Sequence, residues 1–373
     1  MKIAILGTRG VPNNYGGFEQ FADLISTGLA ARGHDVTVYN PHYYTAAGNN
    51  YRGVKIVHQP SHEKYLKTGG VMLFDYFCMR DALKKNFDII YMAGYGTSTP
   101  AFVMLNGKGR KRNVIVTNMD GMEWRRDKLN GIAKAITKWF ESICVRKTDF
   151  MIADNIGISE YFKKTYNKPA HFIPYGAAVP DSIDDSLIKK ISVQSNKYFL
   201  ILARMEPENN LELSLQSYLE SGVEEPILII GSVSKKYGKF LLKKYNHPRI
   251  KFLGSIYDKA LLDSLRKNCL AYIHGHSVGG TNPSLLEAMA SEAFIFSHEN
   301  EFNHSVINEN AFYFGSENDL KQLLLQAGEL RNANAEKFIS ANLERIKSFY
   351  NWERILDENE NFFQKILDEK KLR

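Results

Sequence analysis

The segment HGHSVGGTNPSLLEAMASE, residues 274–292, has the residue types of a ligand-binding helix start. A Gly-Gly pair gives a turn after an apolar run, Thr281 or Asn282 can cap a helix, Pro283 suits its first turn, and LLEAMA continues as its apolar face. Main-chain N–H groups at a helix start attract anions. Glu287 would lie about one turn inside this helix, where its carboxylate can accept hydrogen bonds from vicinal hydroxyls such as those of a ribose.

A second glycine-rich segment, GTRGVPNNYGGFE at residues 7–19, follows the apolar run KIAIL. A dinucleotide fingerprint would read G-x-G-x-x-G, with an acidic residue about twenty positions further on. Here the glycine spacing differs, and the second strand ends VYNPHYY without a carboxylate. We therefore expect the amides at Gly16 and Gly17 to bind an anion or a negatively charged leaving group, not to hold a nicotinamide or flavin cofactor. A surface loop with tight turns is the alternative.

Short apolar runs alternate with segments of helical period along the chain, which predicts an α/β fold. The alternation restarts after PYGAAVPDSIDD, so we expect two Rossmann-like, doubly wound domains, at residues 1–178 and 179–345. The amphipathic segment 346–373 should be a C-terminal helix that returns to the first domain. Open parallel sheets bind ligands beyond the carboxyl ends of their strands, and both glycine-rich segments follow such ends.

Charge is distributed unevenly between the two halves. Residues 1–178 contain 24 Lys and Arg against 14 Asp and Glu, whereas the remainder contains 24 against 27. A basic half suits nucleic acid, an anionic membrane surface or a phosphate-bearing substrate, with an ordinary solvated surface as the alternative. The sequence contains no nucleic-acid-binding motif, so we expect no nucleic-acid partner.

The remaining composition favours a protein of the cell interior without a metal. Cys78, Cys144 and Cys269 lie far apart and outside any C-x-x-C pattern, as expected for reduced buried thiols. No D-x-D pair is present, which predicts chemistry without a divalent cation. The sequence shows no secretion signal and no membrane-spanning apolar run, so we expect a cytoplasmic protein.

The segments GGFE, ARMEPENN, FLGSI and GGTNPSLLEAMA together resemble the retaining glycosyltransferases of the GT-B fold, family four, over essentially the whole chain. More narrowly, GTRGVPNNYGGFE with NMDGMEWRRDK is similar to the rhamnosyltransferase-type branch of bacterial surface-polysaccharide assembly. The resemblance implies two domains that face each other across a cleft, with a nucleotide sugar between them and the C-terminal helix packed on the first.

The resemblance also implies three catalytic residues. Arg204 would contact the donor phosphates and Glu287 the ribose. Asp120 occupies the region where many relatives have a histidine, and would stabilise the cationic sugar or orient the acceptor hydroxyl. Substrate contacts are implied at Gly16, Gly17, Glu123, Asn209, Gly254, Ser255, Ile256, Gly280, Thr281, Asn282, Pro283 and Ser284.

Two positions depart from the family pattern. Most relatives have a lysine where this chain has Asn209, and a glutamate where it has Gly279. One phosphate cation and one acceptor for a sugar hydroxyl are therefore replaced. This difference favours another donor sugar, such as a 6-deoxyhexose, over decay of the site, because Arg204 and Glu287 are both present.

The resulting expectation is a metal-independent transferase that moves a hexose or 6-deoxyhexose, with rhamnose from dTDP-rhamnose as the first candidate. The donor would be dTDP-, UDP- or GDP-linked and the acceptor a glycan or a polyprenyl-diphosphate-linked sugar, with no further cofactor. A nucleotide-sugar epimerase of the same fold and a non-catalytic nucleotide-sugar-binding protein are the alternatives. The helix GIAKAITKWFESICVRK interleaves basic and apolar residues, so the anionic inner face of the cell membrane is a further candidate partner.

Overall fold

The computed structural model describes residues 1–13, 17–46, 48–105, 113–119, 121–126 and 129–371, with the backbone alone for Gly17 and Phe18. The chain packs as two units. The first comprises residues 1–125 and 129–175 together with the C-terminal segment from Trp352, and the second comprises Gly176–Asn351 together with the short stretch that begins at Arg126.

The first unit contains an eight-stranded sheet in the order β3-β4-β2-β1-β5-β6-β7-β8. All neighbouring strands are parallel except the short β3, which pairs with β4 in antiparallel orientation. The strands are β1 (Lys2–Leu6), β2 (Asp35–Pro41), β3 (Asn50–Tyr51), β4 (Val54–Gln59), β5 (Ile89–Ala93), β6 (Val114–Asn118), β7 (Phe150–Ala153) and β8 (His171–Phe172). The α-helices between them are α1 (Gly17–Ala31), α2 (Glu63–Leu66), α3 (Thr68–Lys84), α4 (Thr99–Met104), α5 (Gly131–Lys147) and α6 (Ile156–Tyr166).

The second unit contains a six-stranded sheet in the order β11-β10-β9-β12-β13-β14, parallel throughout. Its strands are β9 (Phe199–Leu202), β10 (Ile227–Ile230), β11 (Ile250–Gly254), β12 (Ala271–His274), β13 (Ile295–His298) and β14 (Phe312–Phe314). Its α-helices are α7 (Leu211–Ser221), α8 (Lys236–Lys244), α9 (Lys259–Asn268), α10 (Pro283–Ala290), α11 (Glu301–Ile307), α12 (Glu317–Leu325) and α13 (Ala327–Ser348). The prediction of an α/β chain with two parallel sheets is confirmed.

Unbroken apolar runs form the central strands because helical connections cover a parallel sheet on its faces. All residues of β5 and of β6 are buried, as is every residue of β10 and β12. Within the described ranges, none of the helices combines the length and the apolar composition that a membrane crossing needs.

The last helix, α14 (Trp352–Lys371), belongs to the first unit, as the sequence predicted. Its acidic face meets Arg32 at the end of α1, whose guanidinium lies 2.9 Å from Glu353, 2.7 Å from Asp357 and 3.1 Å from Glu360. Its apolar face is buried, with Phe363 packed edge-on against Tyr91 of β5 at a ring separation of 6.1 Å. The helix therefore closes one side of the first sheet.

Candidate active site

In the first unit, Asn40 at the end of β2 holds the loop that follows β1. Its side chain accepts a hydrogen bond from Val11 N at 3.1 Å and donates to Val11 O at 2.8 Å, and it is fully buried. A Cβ on Gly10 would lie 2.5 Å from the Asn40 amide, and the φ of +98° at Gly10 is itself in the glycine region. Packing within the protein thus requires a glycine at position 10.

Acidic side chains of α1 hold the same loop from the other side. Glu19, buried in the first turn of the helix, accepts a hydrogen bond from Arg9 N at 3.0 Å, and Asp23 accepts one from Asn13 N at 2.7 Å. Of the predicted anion-binding pair, Gly17 is the first residue of α1, while Gly16 lies outside the described residues. Asp120, the predicted group near the reacting carbon, also lies outside them.

Glu123, a predicted substrate contact, is in a short 3₁₀ turn, Glu123–Arg125, of the first unit. Its main-chain N–H donates to the hydroxyl of Tyr95 at 3.2 Å, and the next residue, Trp124, donates from Nε1 to Glu141 at 3.0 Å. The buried Glu141 carboxylate accepts hydrogen bonds from five side-chain donors at donor–acceptor distances of 2.7–3.1 Å. These donors are Tyr95 Oη, Trp124 Nε1, Lys138 Nζ, Tyr161 Oη and Tyr166 Oη. This network fixes the turn that contains Glu123 onto α5 and α6.

In the second unit, Arg204 follows β9 and the segment 275–282 follows β12, and these two strands are neighbours in the sheet. Most of the Arg204 side chain is exposed, at 65%, and its guanidinium lies 3.9 Å from Glu206. Asn209 is buried, and its amide donates to the main-chain carbonyl of Arg204 at 2.7 Å. Asn209 therefore shapes the turn that carries Arg204, and its own side chain is used inside the protein.

The segment that leads into α10 contains five of the predicted contacts. Asn282 caps the helix, because its Oδ1 accepts hydrogen bonds from Ser284 N at 3.0 Å and from Ser284 Oγ at 2.9 Å. Pro283 is the first helical residue, and Thr281 is buried beside it. The predicted helix start is therefore present, and Gly280 precedes it. The amide of Ser284 is already engaged by the cap, so its use by an anion requires the cap to open.

Gly279, where most relatives resembling this chain have a glutamate, has a φ of +132°. Only glycine adopts this conformation readily, and a Cβ at this position would point into open space. The segment before α10 thus follows a path that a glutamate would strain.

Glu287 lies on α10, one turn inside the helix, as the sequence predicted. Its carboxylate accepts a hydrogen bond from Nη2 of Arg266 on α9, and Nη1 of Arg266 is 3.2 Å from Asp263. The Arg266 side chain is 1% exposed, whereas that of Glu287 is 28% exposed. A buried guanidinium therefore orients a carboxylate that still faces solvent, a role for Arg266 that no local sequence signal indicates.

His274 and His276 stack on each other at the end of β12, with ring centroids 4.4 Å apart. Burial lowers the pKa of His274 well below its usual value. Burial also lowers the pKa of His276, to about 3, and the positive charges of Arg204 and Arg126 lower it further. Both imidazoles are therefore neutral at physiological pH.

Three further predicted substrate contacts, Gly254, Ser255 and Ile256, lie at the β11 edge of the second sheet. Gly254 ends β11, and its carbonyl accepts a hydrogen bond from Gly231 N at 2.8 Å. Ser255 is exposed and Ile256 half-buried in the loop that follows. The structure brings Arg204 and the segment 279–284 to neighbouring strand ends, while Gly254–Ile256 leave the sheet three strands away from β12.

Residues 184–345 match the family model described as "Glycosyl transferases group 1", and residues 1–178 match the model described as "Domain of unknown function (DUF1972)". No curated protein gives a significant match to the sequence.

Solved structures give matches over the whole chain. The sucrose-phosphate synthase of Thermosynechococcus elongatus has a TM-score of 0.80 at 13% identity, and the match covers 98% of this chain and 99% of that one. The α,α-trehalose 6-phosphate synthase of Burkholderia multivorans has a TM-score of 0.75 at 11% identity, with 100% and 98% covered. HepE of Anabaena, in complex with UDP and glucose, has a TM-score of 0.73 at 16% identity, with 98% and 100% covered. The protein therefore has the GT-B fold, and it carries a glycosyl transferases group 1 domain at residues 184–345 behind a DUF1972 domain at residues 1–178.

Proposed function

We propose that this protein transfers a hexose or 6-deoxyhexose from a nucleotide sugar to a lipid-linked or oligosaccharide acceptor, with retention of configuration. Rhamnose from dTDP-rhamnose is the first candidate donor, and assembly of a bacterial surface polysaccharide is the process. The observation that carries the proposal is the group 1 match of residues 184–345, within which Arg204, Glu287 and the segment 279–284 all lie. HepE, which has the same fold, binds UDP and glucose.

The chemistry of glycosyl transfer explains why these residue types suffice. As the sugar leaves, negative charge grows on the departing diphosphate and positive charge on the sugar ring. Arg204 offers a cation to the first, and the segment 279–282 before Pro283 offers main-chain amides; such preorganised groups often supply the largest catalytic contribution. Glu287, oriented by Arg266, would accept hydrogen bonds from the ribose hydroxyls. In this proposal Asp120 acts on the sugar cation or the acceptor, and no divalent cation is required.

A transfer assay tests the proposal. The purified protein is incubated with dTDP-, UDP- or GDP-linked sugars and a polyprenyl-diphosphate-linked acceptor, with and without EDTA, and glycosylated product is detected by mass spectrometry. We expect a product whose new linkage keeps the donor's anomeric configuration, formed at the same rate in EDTA. Isomerised donor in the absence of acceptor would identify an epimerase. Donor binding without any product, unchanged in the Arg204→Ala variant, would identify a non-catalytic binding protein.

The exposed face of α5 supports an acceptor at a membrane. Ile132, Ile136 and Trp139 are 75%, 47% and 57% exposed, and their spacing puts them on one face of the helix. Lys134 and Lys147 on the same helix add positive charge. We infer peripheral binding of anionic lipid through this face. Flotation with anionic liposomes should be lost in Trp139→Asp and kept in Phe240→Asp, which changes an exposed aromatic residue of the second unit; equal flotation of both variants would contradict it.

A further inference from the structure

Arg126 follows directly on the 3₁₀ turn of the first unit, yet it packs with the second unit. Its side chain is only 14% exposed, and Nη1 lies 4.0 Å from Oε1 of Glu208, whose side chain is 4% exposed. The neighbouring Arg125 is exposed, with its guanidinium over the ring of Trp124 at 5.4 Å. Two adjacent arginines of the same turn thus have different environments, and one of them is buried next to a carboxylate.

Glu208 connects Arg126 to the segment that precedes α10. It lies in the 3₁₀ turn Pro207–Asn209, and its main-chain carbonyl accepts hydrogen bonds from Ser277 N at 3.0 Å and from Ser277 Oγ at 2.9 Å. The carbonyl of the preceding His276 is held in turn by Asn300 and Asn303, each at 3.0 Å. The turn beside Arg126 and the end of β12 therefore form one fixed structure.

The charges of both Arg126 and Arg204 act on the imidazole of His276. Burial lowers the pKa of its imidazole first, and the positive charges of Arg204 and then Arg126 lower it further. Its Nδ1 is buried and has no hydrogen-bond partner among the described residues. A buried polar atom without a partner is a position that a ligand commonly satisfies. The segment between β12 and α10 thus contains a neutral imidazole on which the charges of both Arg204 and Arg126 act.

We propose that Arg126 is a second cation for the donor diphosphate, acting together with Arg204 in place of the lysine that this chain replaces by Asn209. This inference rests on the proposed function, which supplies the diphosphate. Asn209 cannot take that role, because it is uncharged and its buried amide is bound to the Arg204 carbonyl. A guanidinium has several N–H donors in a fixed fork, so Arg126 can bind a phosphate oxygen while Glu208 holds it in position.

The test compares neutral substitutions of the two adjacent arginines. Binding of UDP, GDP and dTDP to the wild type, Arg126→Gln and Arg125→Gln is measured by isothermal titration calorimetry, and near-ultraviolet circular dichroism monitors folding. We expect Arg126→Gln to lower the affinity for the nucleotide that the wild type binds most tightly by roughly 10- to 100-fold, the usual effect of one charged hydrogen bond. Arg125→Gln should bind as the wild type does, and Arg126→Lys should recover part of the loss.

The outcomes separate this inference from the proposed function. Equal affinities of the wild type and Arg126→Gln would overturn the role of Arg126 and leave the donor site intact. A wild type that binds none of the three nucleotides would overturn both proposals. Because Arg126→Gln removes a charge from beside the buried Glu208, the double variant Arg126→Gln with Glu208→Gln is included as a folded reference. The affinity must remain low in the double variant, and its recovery would show that Arg126 only neutralises Glu208.

Discussion

Replacement of Arg266 by methionine tests how Glu287 is held in place. The Arg266 guanidinium bridges Asp263 at 3.2 Å and Glu287, and the side-chain exposures of the three residues are 1%, 7% and 28%. Methionine keeps most of the volume and removes the charge. Two carboxylates on facing helices then lose their shared cation.

The magnitude follows from what each carboxylate has left. Removal of one partner from a buried ion pair typically costs about 3–5 kcal/mol, because the remaining charge is desolvated and uncompensated. Asp263 keeps a hydrogen bond from Ser291 Oγ at 2.9 Å and an ion pair with Lys259, and Glu287 reaches water. We therefore expect the low end of the range, about 3 kcal/mol, which corresponds to roughly 100-fold faster exchange of the amides protected by folding of this unit.

The assay must observe the second unit alone. The three tryptophans, Trp124, Trp139 and Trp352, all belong to the first unit, so intrinsic fluorescence does not report on Arg266. Hydrogen–deuterium exchange of peptides from β12 and α10 does. Lys267→Met is the matched control: it lies on the same helix, is 33% exposed, and its pair with Glu292 at 3.6 Å should contribute about 1 kcal/mol or less.

Similar exchange rates in Arg266→Met and Lys267→Met would refute the reasoning. A double variant, Arg266→Met with Asp263→Asn, provides a second check. It should exchange more slowly than Arg266→Met alone, because it removes one of the two uncompensated charges. If Glu287 binds the donor ribose, Arg266→Met should also weaken nucleotide binding, whereas Lys267→Met should leave it unchanged.

Three further predictions concern other parts of the chain. Burial raises the pKa of Asp75 from 3.8 to about 7. Between these two values the folded chain binds more protons than the unfolded chain, so the free energy of unfolding falls as the pH rises. The free energy of unfolding of Asp75→Asn relative to the wild type, measured by tryptophan fluorescence in urea, should therefore increase between pH 4 and 8, by at most about 4 kcal/mol. A difference that stays constant over this pH range would contradict the prediction. Glu141→Gln should destabilise the first unit by roughly 2 kcal/mol in the same assay, and Glu160→Gln at an exposed site of α6 should not; equal effects would exclude a special role for the buried network. Gly279→Ala should weaken nucleoside diphosphate binding in calorimetry, because it strains the segment before α10 by about 1–3 kcal/mol, whereas Gly328→Ala in α13 should bind normally; unchanged binding in Gly279→Ala would show that the strain does not reach the site.

Local patterns were sufficient to predict the elements that form the candidate site. The helix start at Asn282 and Pro283 and the position of Glu287 follow from residues within one turn of each other, and the structure has them as predicted. Most strands of both sheets are apolar runs bounded by turns, so their existence was also predictable, although the short β3 has no such run. By contrast, β14 and the long helix α13 were not predicted, because no strong turn or capping signal marks where they begin.

Contacts between residues distant in sequence could not be predicted. Asn40 lies 29 residues from the loop it holds, and Arg266 lies 21 residues from Glu287. Neither has a flanking pattern that indicates its partner, because such a contact depends on which strand ends and helix faces become neighbours. The same is true of Arg126, which is far from its partner Glu208 in the sequence. From the sequence alone, a basic residue in a polar segment is interpreted as solvent-exposed, and only the structure shows that it is buried.

The two departures from the family pattern are best understood together with their surroundings. At position 279 the backbone has a conformation that a glutamate would strain, and at position 209 the side chain is committed to the turn that carries Arg204. Each substitution is therefore accommodated by its neighbourhood, which is not expected of a site that has merely lost function. The defined conformation and contacts of these two positions, together with the buried side chain of Arg126, support the proposal of an intact donor site that is adapted to a different sugar.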